Sequence, residues 1–237
     1  MSIRSDGTCE VCGGRSLVDR AVLWPALVEA WQLTAAEVAL VDVQQGTHCT
    51  ACGANVRSIA LARAIMRWAA GGLGVPVATF AAFVEFPAVA SLRVLEINHA
   101  GTLYPYLARL PRHQLVLYPE HDMMRLTFAD SSHDLIVHSD TLEHVSDPVQ
   151  GLRECYRVLA PGGAVVFTVP ILPARLTRNR RGLPPSYHGQ ESTDESALLV
   201  HTEFGADAWT MVLEAGFSSC EVVPFRYPSG LALIARR

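Results

Sequence analysis

The stretch of residues 134–170 constrains the fold of this chain more than any other part of the sequence. It begins with a short apolar run at 135–137, which is typical of a buried strand. Asp147 and Pro148 then provide a helix N-cap and a proline at the first helical position, and a second apolar run occupies 164–169. A strand, a helical crossover and a parallel strand form the βαβ unit of an open α/β sheet.

Three short motifs identify this unit more specifically than its hydrophobic periodicity does. SDTLEHV occupies 139–145, Asp147-Pro148 follows it, and RVLAPGG occupies 157–163. Together they resemble the second half of a class I S-adenosylmethionine (SAM) dependent methyltransferase domain, and a looser resemblance extends to the C-terminus. It implies a Rossmann-like α/β fold: an open twisted sheet, mostly parallel, with an antiparallel C-terminal hairpin. It also implies SAM as the cofactor.

Composition is compatible with one full-sized α/β domain and a small appendage, since the chain has 237 residues and half of them are apolar. No apolar run reaches transmembrane length, and residues 1–5 lack the apolar core of a signal peptide. We therefore expect a cytoplasmic protein without a membrane partner. The net charge of −4 disfavours a nucleic-acid footprint. The absence of lysine excludes a Schiff-base or lysine-base mechanism.

Four of the six cysteines form two close CxxC pairs, and a glycine follows each pair. Two such knuckles let four thiolates converge tetrahedrally on one Zn²⁺. The predicted metal ligands are Cys9, Cys12, Cys49 and Cys52. Four thiolates leave no open coordination position, which predicts a structural zinc. The alternative is four unrelated buried cysteines, and His48 is a further candidate ligand.

The segment between the cysteine pairs has a helical pattern of its own. Trp24, Leu27 and Trp31 recur at helical spacing. Thr34 is a candidate N-cap for a second helix over 35–41. We therefore expect two short helices inserted between the two knuckles.

A further helix is predicted over 57–70, where apolar residues recur on one side. The glycine-rich residues 71–74 then interrupt the pattern. This interruption divides the chain into a zinc-binding ribbon and helical subdomain at 1–72 and a methyltransferase domain at 73–237. The apolar segment 77–89 is either a helix that covers the cofactor pocket or a part of the core.

Residues 92–97 are the expected first strand of the methyltransferase domain. In the family that the chain resembles, an acidic residue near the strand end opens a loop with three alternating glycines, which let the backbone approach the cofactor. Here Asn, Ala and Thr occupy the glycine positions, and Asn accepts a positive φ better than most residues. The candidate cofactor-binding residues of this loop are Glu96, Asn98, Ala100 and Gly101.

The second strand is expected at 114–118, and the resemblance implies a ribose-binding carboxylate at its end. Glu120 is the candidate, although it is displaced along the chain. The sequence DMMRLTF then resembles a family segment in which an Asp meets the adenine amino group and the next apolar side chain flanks the ring. These roles fall on Asp122 and Met123. The short span before Asp122 implies that one helix of the usual fold is reduced or missing.

Two interpretations apply to the residues after the strand at 135–137. Ser139 and Asp140 lie at its carboxyl end, where ligands of open α/β sheets bind, and are predicted to line the cofactor pocket. Asp140, Glu143 and His144 also match an acidic-x-x-Glu-His cluster that holds a divalent metal in some O-methyltransferases. In metal-free relatives the Glu and His instead make turn and helix contacts.

The segment 170–204 corresponds to a region that commonly lies over the acceptor site in the resembling family. Its arginines either bind a phosphate, a carboxylate or RNA, or belong to a solvated loop. They are Arg175, Arg178, Arg180 and Arg181.

The same segment carries the candidate catalytic residues. Methyl transfer to a hydroxyl needs a base within hydrogen-bond reach, and a neutral histidine is poised near physiological pH. His188 is the first candidate for this base, His201 is the second, and Tyr187 assists orientation. The alternative for each of the three is a structural role in the loop.

These observations predict a SAM-dependent methyltransferase with an N-terminal zinc-binding subdomain. The predicted partner is a small-molecule acceptor, with the hydroxyl of a sugar or natural product favoured. A zinc-ribbon RNA methyltransferase is the alternative enzyme, in which the arginines would bind phosphates. A non-catalytic scaffold or binding protein is the alternative from another class, in which the altered loop no longer binds SAM.

Overall fold

The computed structural model describes residues 3–4, 7–187 and 195–237. The first part of the chain forms a small three-stranded antiparallel sheet, with two helices between its second and third strands. In chain order its elements are β1 (Ile3–Arg4), β2 (Leu17–Val18), α1 (Pro25–Ala30), α2 (Ala35–Val41), a π-helical turn (Asp42–Gly46) and β3 (His48–Cys49). The two predicted helices are present, and Thr34 caps α2 in a capping box with Glu37.

The long helix α3 (Val56–Leu73) follows the second cysteine pair. Asn55 is its N-cap, because the Asn55 side chain accepts a hydrogen bond from the Ser58 N–H. The prediction that the helix breaks at 71–74 places its end too early, since it continues to Leu73 and ends at Gly74, whose φ is +63°. Two exposed glycines lower helix propensity by only about 1 kcal/mol each, which the packing of α3 offsets. None of the helices in the described part of the chain combines the length and the apolar character needed to cross a bilayer.

The remaining elements build a six-stranded sheet and its covering helices. They are α4 (Phe80–Val84), β4 (Val94–Ile97), α5 (Tyr104–Leu107), β5 (His113–Val116), β6 (His133–Ser139), α6 (Pro148–Val158), β7 (Leu159–Thr168), β8 (Ile171–Leu172), β9 (Arg178–Asn179), β10 (Thr202–Gly205), α7 (Trp209–Glu214), β11 (Ser219–Phe225) and β12 (Gly230–Arg236). Short 3₁₀ helices connect them at Pro87–Ser91, Gly101–Leu103, Met123–Arg125, Leu142–His144 and Glu195–Leu198.

The strand order of the large sheet is β11–β12–β7–β6–β4–β5. Strands β5, β4, β6 and β7 are parallel, and β12 and β11 form an antiparallel hairpin at the other edge. This arrangement confirms the predicted fold class: a Rossmann-like, mostly parallel open sheet with an antiparallel C-terminal hairpin. A third sheet is small, with β10 between β8 and β9.

The register of the parallel strands brings their carboxyl ends to one edge. Ile97 pairs with Val116 on one side and with His138 on the other, and Ser139 pairs with Thr168. The loops that follow β4, β5 and β6 therefore start side by side. This is the edge at which open α/β sheets bind ligands.

Successive residues of the strands alternate between two hydrophobic clusters, one on each face of the sheet. On one face, Val94, Leu135 and Ala232 belong to the same buried cluster as much of α3 and as Cys9 and Cys49. On the other face, α6 and α7 cover the sheet. The N-terminal part of the chain thus shares a core with the sheet, and the subdomain boundary at residue 72 stays a prediction.

The segment 77–89 belongs to the core rather than to a long helix over the pocket. Only Phe80–Val84 is α-helical, and the rings of Phe80 and Phe83 are fully buried and stacked with centroids 5.3 Å apart. Between β5 and β6 the chain forms only the 3₁₀ turn Met123–Arg125, in line with the predicted reduction of one helix.

Candidate functional site

A cavity of about 1250 Å³ opens at the carboxyl ends of β4 and β6. Six of the nine predicted cofactor-binding residues line it. They are Asn98, Gly101, Asp122, Met123, Ser139 and Asp140. The tertiary structure therefore brings together side chains that are more than forty positions apart in the sequence, at the edge of the sheet where the fold predicts a ligand.

The loop after β4 has two residues in the left-handed region. Asn98 has a φ of +56° and Gly101 a φ of +57°. The Asn98 side-chain oxygen accepts a hydrogen bond from the Tyr118 N–H at 3.1 Å, which ties this loop to the end of β5. A Cβ at Gly101 would lie 3.2 Å from the Ser58 hydroxyl, so this position needs glycine for space as well as for φ.

Glu96 and Ala100 are fully buried behind the loop and do not line the cavity. One Glu96 oxygen accepts a hydrogen bond from the Ala100 N–H at 2.7 Å, and the other lies 2.7 Å from Nε2 of His113. Glu96 therefore holds the loop in place from within the protein. Its carboxylate contacts the loop backbone rather than the space that a ligand would occupy.

Glu120, the candidate ribose ligand, is exposed and does not line the cavity. Tyr118 and His121 line it instead. The His121 ring stacks on Phe128 with a 5° interplanar angle, and its Nδ1 is buried with no hydrogen-bond partner among the described residues. His121 directly follows Glu120 in the sequence, and the sequence analysis considered only the carboxylate.

Asp122 and Met123 are adjacent on the cavity surface. One Asp122 oxygen accepts a hydrogen bond from the Met124 N–H at 2.8 Å and caps the 3₁₀ turn Met123–Arg125. The Met123 side chain is almost fully buried and packs close to Gly151 of α6. The sequence motif is thus folded as a short capped turn that faces the cavity.

Asp140 connects the sheet with the N-terminal part of the chain. Its φ is +46°, its carboxylate forms an ion pair with Arg57 of α3, and Nε2 of Gln45 donates a hydrogen bond to it at 2.8 Å. Arg57 and Gln45 also line the cavity. Sequence reasoning did not find them, because both belong to the segment that was assigned to zinc binding.

Glu143 and His144 are close together but are not an ion pair. Nε2 of His144 lies 3.8 Å from Oε1 of Glu143, and neither Glu143 oxygen has a hydrogen-bond partner within the described ranges. Burial raises the pKa of Glu143 well above its usual range and lowers the pKa of His144, so burial opposes the charged form of both side chains. Among the described residues, metal-ligating atoms converge only at the four cysteines, which argues against the divalent-metal alternative at Asp140, Glu143 and His144.

Two histidines line the cavity near the segment after β7, namely His144 and His201. Nδ1 of His144 lies 3.1 Å from the Leu199 carbonyl oxygen, which requires a proton on Nδ1 and makes Nε2 the acceptor. The Tyr187 side chain is exposed and does not line the cavity. His188 lies outside the described residues.

Three of the four arginines in the segment after β7 make internal ion pairs. Arg175 binds Glu37 of α2, and Arg178 and Arg180 both bind Glu203. Arg180 is buried, whereas Arg181 is exposed. Arg175 and Arg180 are therefore used within the protein, whereas the side chains of Arg178 and Arg181 also reach the surface.

The four N-terminal cysteines converge on one point. The Sγ atoms of Cys9 and Cys52 are 3.7 Å apart, as are those of Cys12 and Cys49, and all four lie within 4.8 Å of one another. Four Zn–S bonds of about 2.3 Å in a tetrahedron require S–S distances of about 3.8 Å.

The backbone of the two knuckles is equivalent. The Gly13 N–H donates to the Cys9 carbonyl and the Gly53 N–H to the Cys49 carbonyl, and both glycines have a positive φ. His48 instead directs Nδ1 to the Gly46 carbonyl at 2.8 Å. The donor set therefore fits a structural zinc held by four cysteines, and the alternative of four unrelated cysteines is wrong.

Comparison with known proteins gives the following matches. Residues 81–167 match the family model described as a methyltransferase domain. A probable S-adenosylmethionine-dependent methyltransferase from Mycolicibacterium smegmatis is 35% identical over 148 residues, which cover 61% of this chain and 51% of the relative. A demethylmenaquinone methyltransferase from Streptomyces griseus is 34% identical over 96 residues, which cover 38% of this chain and 42% of the relative. The chain thus spans about half the length of the curated relatives it matches.

Among solved structures, a SAM-dependent methyltransferase from Mesorhizobium loti has a TM-score of 0.41 and 18% sequence identity. The match covers 65% of this chain and 95% of that one.

Proposed function

Because the chain carries a domain of the methyltransferase family, we propose that it binds SAM in the 1250 Å³ cavity and transfers a methyl group to a small-molecule acceptor. One observation carries this proposal: the cavity at the carboxyl ends of β4 and β6 is lined by the loop with Asn98 and Gly101 at positive φ and by Asp122. SAM supplies an electrophilic methyl carbon on a sulfonium that is a good leaving group. The protein's contribution is mainly to position the acceptor and exclude water.

The residues that would hold SAM come from three loops at this edge. The positive φ at Asn98 and Gly101 lets the loop backbone approach the cofactor closely. Asp122 would accept a hydrogen bond from the adenine amino group, and Met123 would flank the ring. In place of the exposed Glu120, we assign the ribose hydroxyls to His121, because its side chain lines the cavity.

We assign the general base to His144, with His201 as the second candidate. The lowered pKa keeps the His144 imidazole neutral at physiological pH, and the Nδ1 contact with the Leu199 carbonyl makes Nε2 the proton acceptor. His144 would take the proton of an acceptor hydroxyl as the methyl group is transferred. The role proposed for His188 stays a prediction.

A small-molecule acceptor, such as the hydroxyl of a sugar or another natural product, is favoured over RNA. Arg175, Arg178 and Arg180 form ion pairs with Glu37 and Glu203, so a phosphate would have to compete with these internal contacts. Two of the curated relatives are named for a small-molecule substrate, demethylmenaquinone. The cysteine cluster has a structural role in this proposal, because four thiolates leave zinc no position for a substrate.

The decisive experiment is isothermal titration of the purified protein with SAM and with S-adenosylhomocysteine. We expect micromolar binding of both that Asp122→Ala weakens by at least about tenfold, since a charge-assisted hydrogen bond is lost. Glu120→Ala is the matched control and should bind like the unmodified protein, because Glu120 is exposed and off the cavity. No binding by folded protein would overturn the proposal and favour the scaffold alternative.

A turnover assay then tests the acceptor class. It follows S-adenosylhomocysteine release with a panel of phenols, sugars and quinols, and with structured RNA as a separate arm. Turnover with RNA alone would overturn the small-molecule assignment.

A further inference from the structure

We infer that the insert between the two cysteine pairs forms a subsite for the apolar body of the acceptor, an inference that rests on the proposed methyl transfer. Apolar residues of this insert line the cavity, and we name six of them together the insert wall. They are Leu23, Trp24, Leu27, Trp31, Leu33 and Val41. The acceptor class that this wall favours is a molecule with a neutral ring or chain body and one reactive hydroxyl, rather than a free sugar.

The size of the cavity leaves room for a second occupant besides the cofactor. Pockets that enclose one drug-sized ligand have volumes of about 300–1000 Å³. The cavity here is about 1250 Å³, and the predicted cofactor-binding residues of the sheet edge account for only part of its lining. The insert wall belongs to the same cavity but to a different part of the chain.

The chemistry of the insert wall selects an apolar ligand. Leu27 and Trp31 are buried with Val200, and Leu23 and Leu33 pack on this cluster. Trp24 is 47% exposed, which leaves a large aromatic surface in contact with the cavity opening. A sugar bound against these side chains would bury hydroxyls without hydrogen-bond partners, at a cost of about 1–3 kcal/mol each. An apolar ring or chain gains free energy from the same contact.

The insert wall is anchored firmly enough to define a binding surface. Nε1 of Trp31 donates a hydrogen bond to the Ser186 hydroxyl at 2.7 Å. Arg175 binds both the Trp31 carbonyl at 3.0 Å and the Glu37 carboxylate at 2.5 Å. The Arg175 guanidinium lowers the pKa of Glu37 to about 2, so this pair stays charged at all physiological pH values. These contacts fix α1 and α2 against the segment that follows β7.

Groups that can act on a hydroxyl line the same cavity. His144 and His201 reach it from the segments after β6 and before β10. An acceptor whose body packs on the insert wall therefore lies in the same cavity as two imidazoles and the cofactor-binding loop. This arrangement gives the zinc-binding part of the chain a role in acceptor recognition.

The test measures binding of 1-naphthol, a neutral bicyclic hydroxyl compound, by isothermal titration with and without saturating S-adenosylhomocysteine. Methyl α-glucoside serves as the sugar probe. We expect 1-naphthol to bind with a dissociation constant below about 1 mM, and methyl α-glucoside to bind at least about tenfold more weakly. Trp24→Ala should weaken 1-naphthol binding at least about fivefold and leave S-adenosylhomocysteine binding unchanged.

Trp209→Ala is the matched control, because Trp209 is 43% exposed on α7 and does not line the cavity. This variant should bind both ligands like the unmodified protein. Absence of 1-naphthol binding, equal loss in the two variants, or tighter binding of methyl α-glucoside would each overturn the inference. Since S-adenosylhomocysteine is titrated separately, a failure of the proposed function is recognised independently of a failure of the subsite.

Discussion

Arg57 at the start of α3 forms an ion pair with Asp140 at the carboxyl end of β6. Both side chains are mostly buried, with 18% and 13% of their surface exposed. Arg57 is the second residue of the helix that begins just after the second cysteine pair. This single contact therefore joins the part of the chain that carries the four-cysteine cluster to the predicted cofactor site.

Replacement of Arg57 by alanine should damage both stability and cofactor binding. The change leaves the Asp140 carboxylate partly buried without its counter-charge, which we expect to cost about 2 kcal/mol of unfolding free energy. Affinity for S-adenosylhomocysteine should fall at least about fivefold, because Asp140 lines the cavity. Urea unfolding and isothermal titration measure the two effects.

Arg67→Ala provides the control on the same helix. Arg67 pairs with Glu221 but its side chain is 64% exposed, and exposed pairs contribute at most about 1 kcal/mol. Equal losses of stability and affinity in the two variants would show that the position of Arg57 at the cavity is irrelevant.

The cysteine cluster should bind one zinc ion per chain. Plasma mass spectrometry of the purified protein measures the content, and Cys52→Ser should lower it, whereas Cys220→Ser should not, because Cys220 lies outside the cluster. Loss of zinc should also weaken S-adenosylhomocysteine binding, since α3 and its Arg57 begin directly after the second knuckle. Full cofactor affinity in a zinc-free Cys52→Ser variant would contradict this coupling.

Two substitutions at Asn98 separate backbone conformation from hydrogen bonding. Both Asn98→Gly and Asn98→Ala remove the hydrogen bond to the Tyr118 N–H, but only alanine resists a φ of +56°. The alanine variant should therefore be about 1 kcal/mol less stable than the glycine variant and bind S-adenosylhomocysteine more weakly. Indistinguishable urea unfolding curves for the two variants would show that the left-handed conformation is not required.

His138 should make the protein sensitive to acid. The imidazole is fully buried against Phe167, neither ring nitrogen has a hydrogen-bond partner in the part of the chain that the structure describes, and burial lowers its pKa to about 3. The unfolded chain, with an ordinary pKa near 6.5, binds this proton more readily than the folded protein does. Stability is therefore lost as pH falls below about 6.5 towards 3, by at most about 1.4 kcal/mol per pH unit.

His138→Leu should reduce that dependence. Urea midpoints between pH 7.5 and 4.5 should fall less steeply for this variant than for the unmodified protein. His99→Leu, at an exposed position, should retain the full slope. Identical slopes for His138→Leu and the unmodified protein would contradict the burial argument.

Local patterns sufficed for much of the fold. The capped helix after Asp147, the N-cap at Thr34 and the two CxxC knuckles each depend on neighbours within a few positions, and the structure contains all three. The end of α3 was predicted too early, because glycine propensity was weighed without the packing of the helix on the sheet.

The candidate site was likewise predicted in part from local motifs and decided in part by packing. Six of the nine predicted cofactor residues line the cavity, because a motif at the carboxyl end of a strand fixes its own place at the sheet edge. Glu96 and Glu120 do not line it, since burial and the path of the loop decide whether a carboxylate reaches a cavity.

The sequence by itself determined the βαβ unit and the two cysteine pairs, since periodicity, caps and spacing are local properties of a chain, and its resemblance to a known family predicted the loops at the sheet edge. Only the tertiary structure decided that Arg57 meets Asp140, that Glu203 pairs with both Arg178 and Arg180, and that the insert wall encloses part of the cavity. These contacts join residues far apart in sequence, and their partners are selected by the packing of α3 and the insert against the sheet rather than by any local pattern.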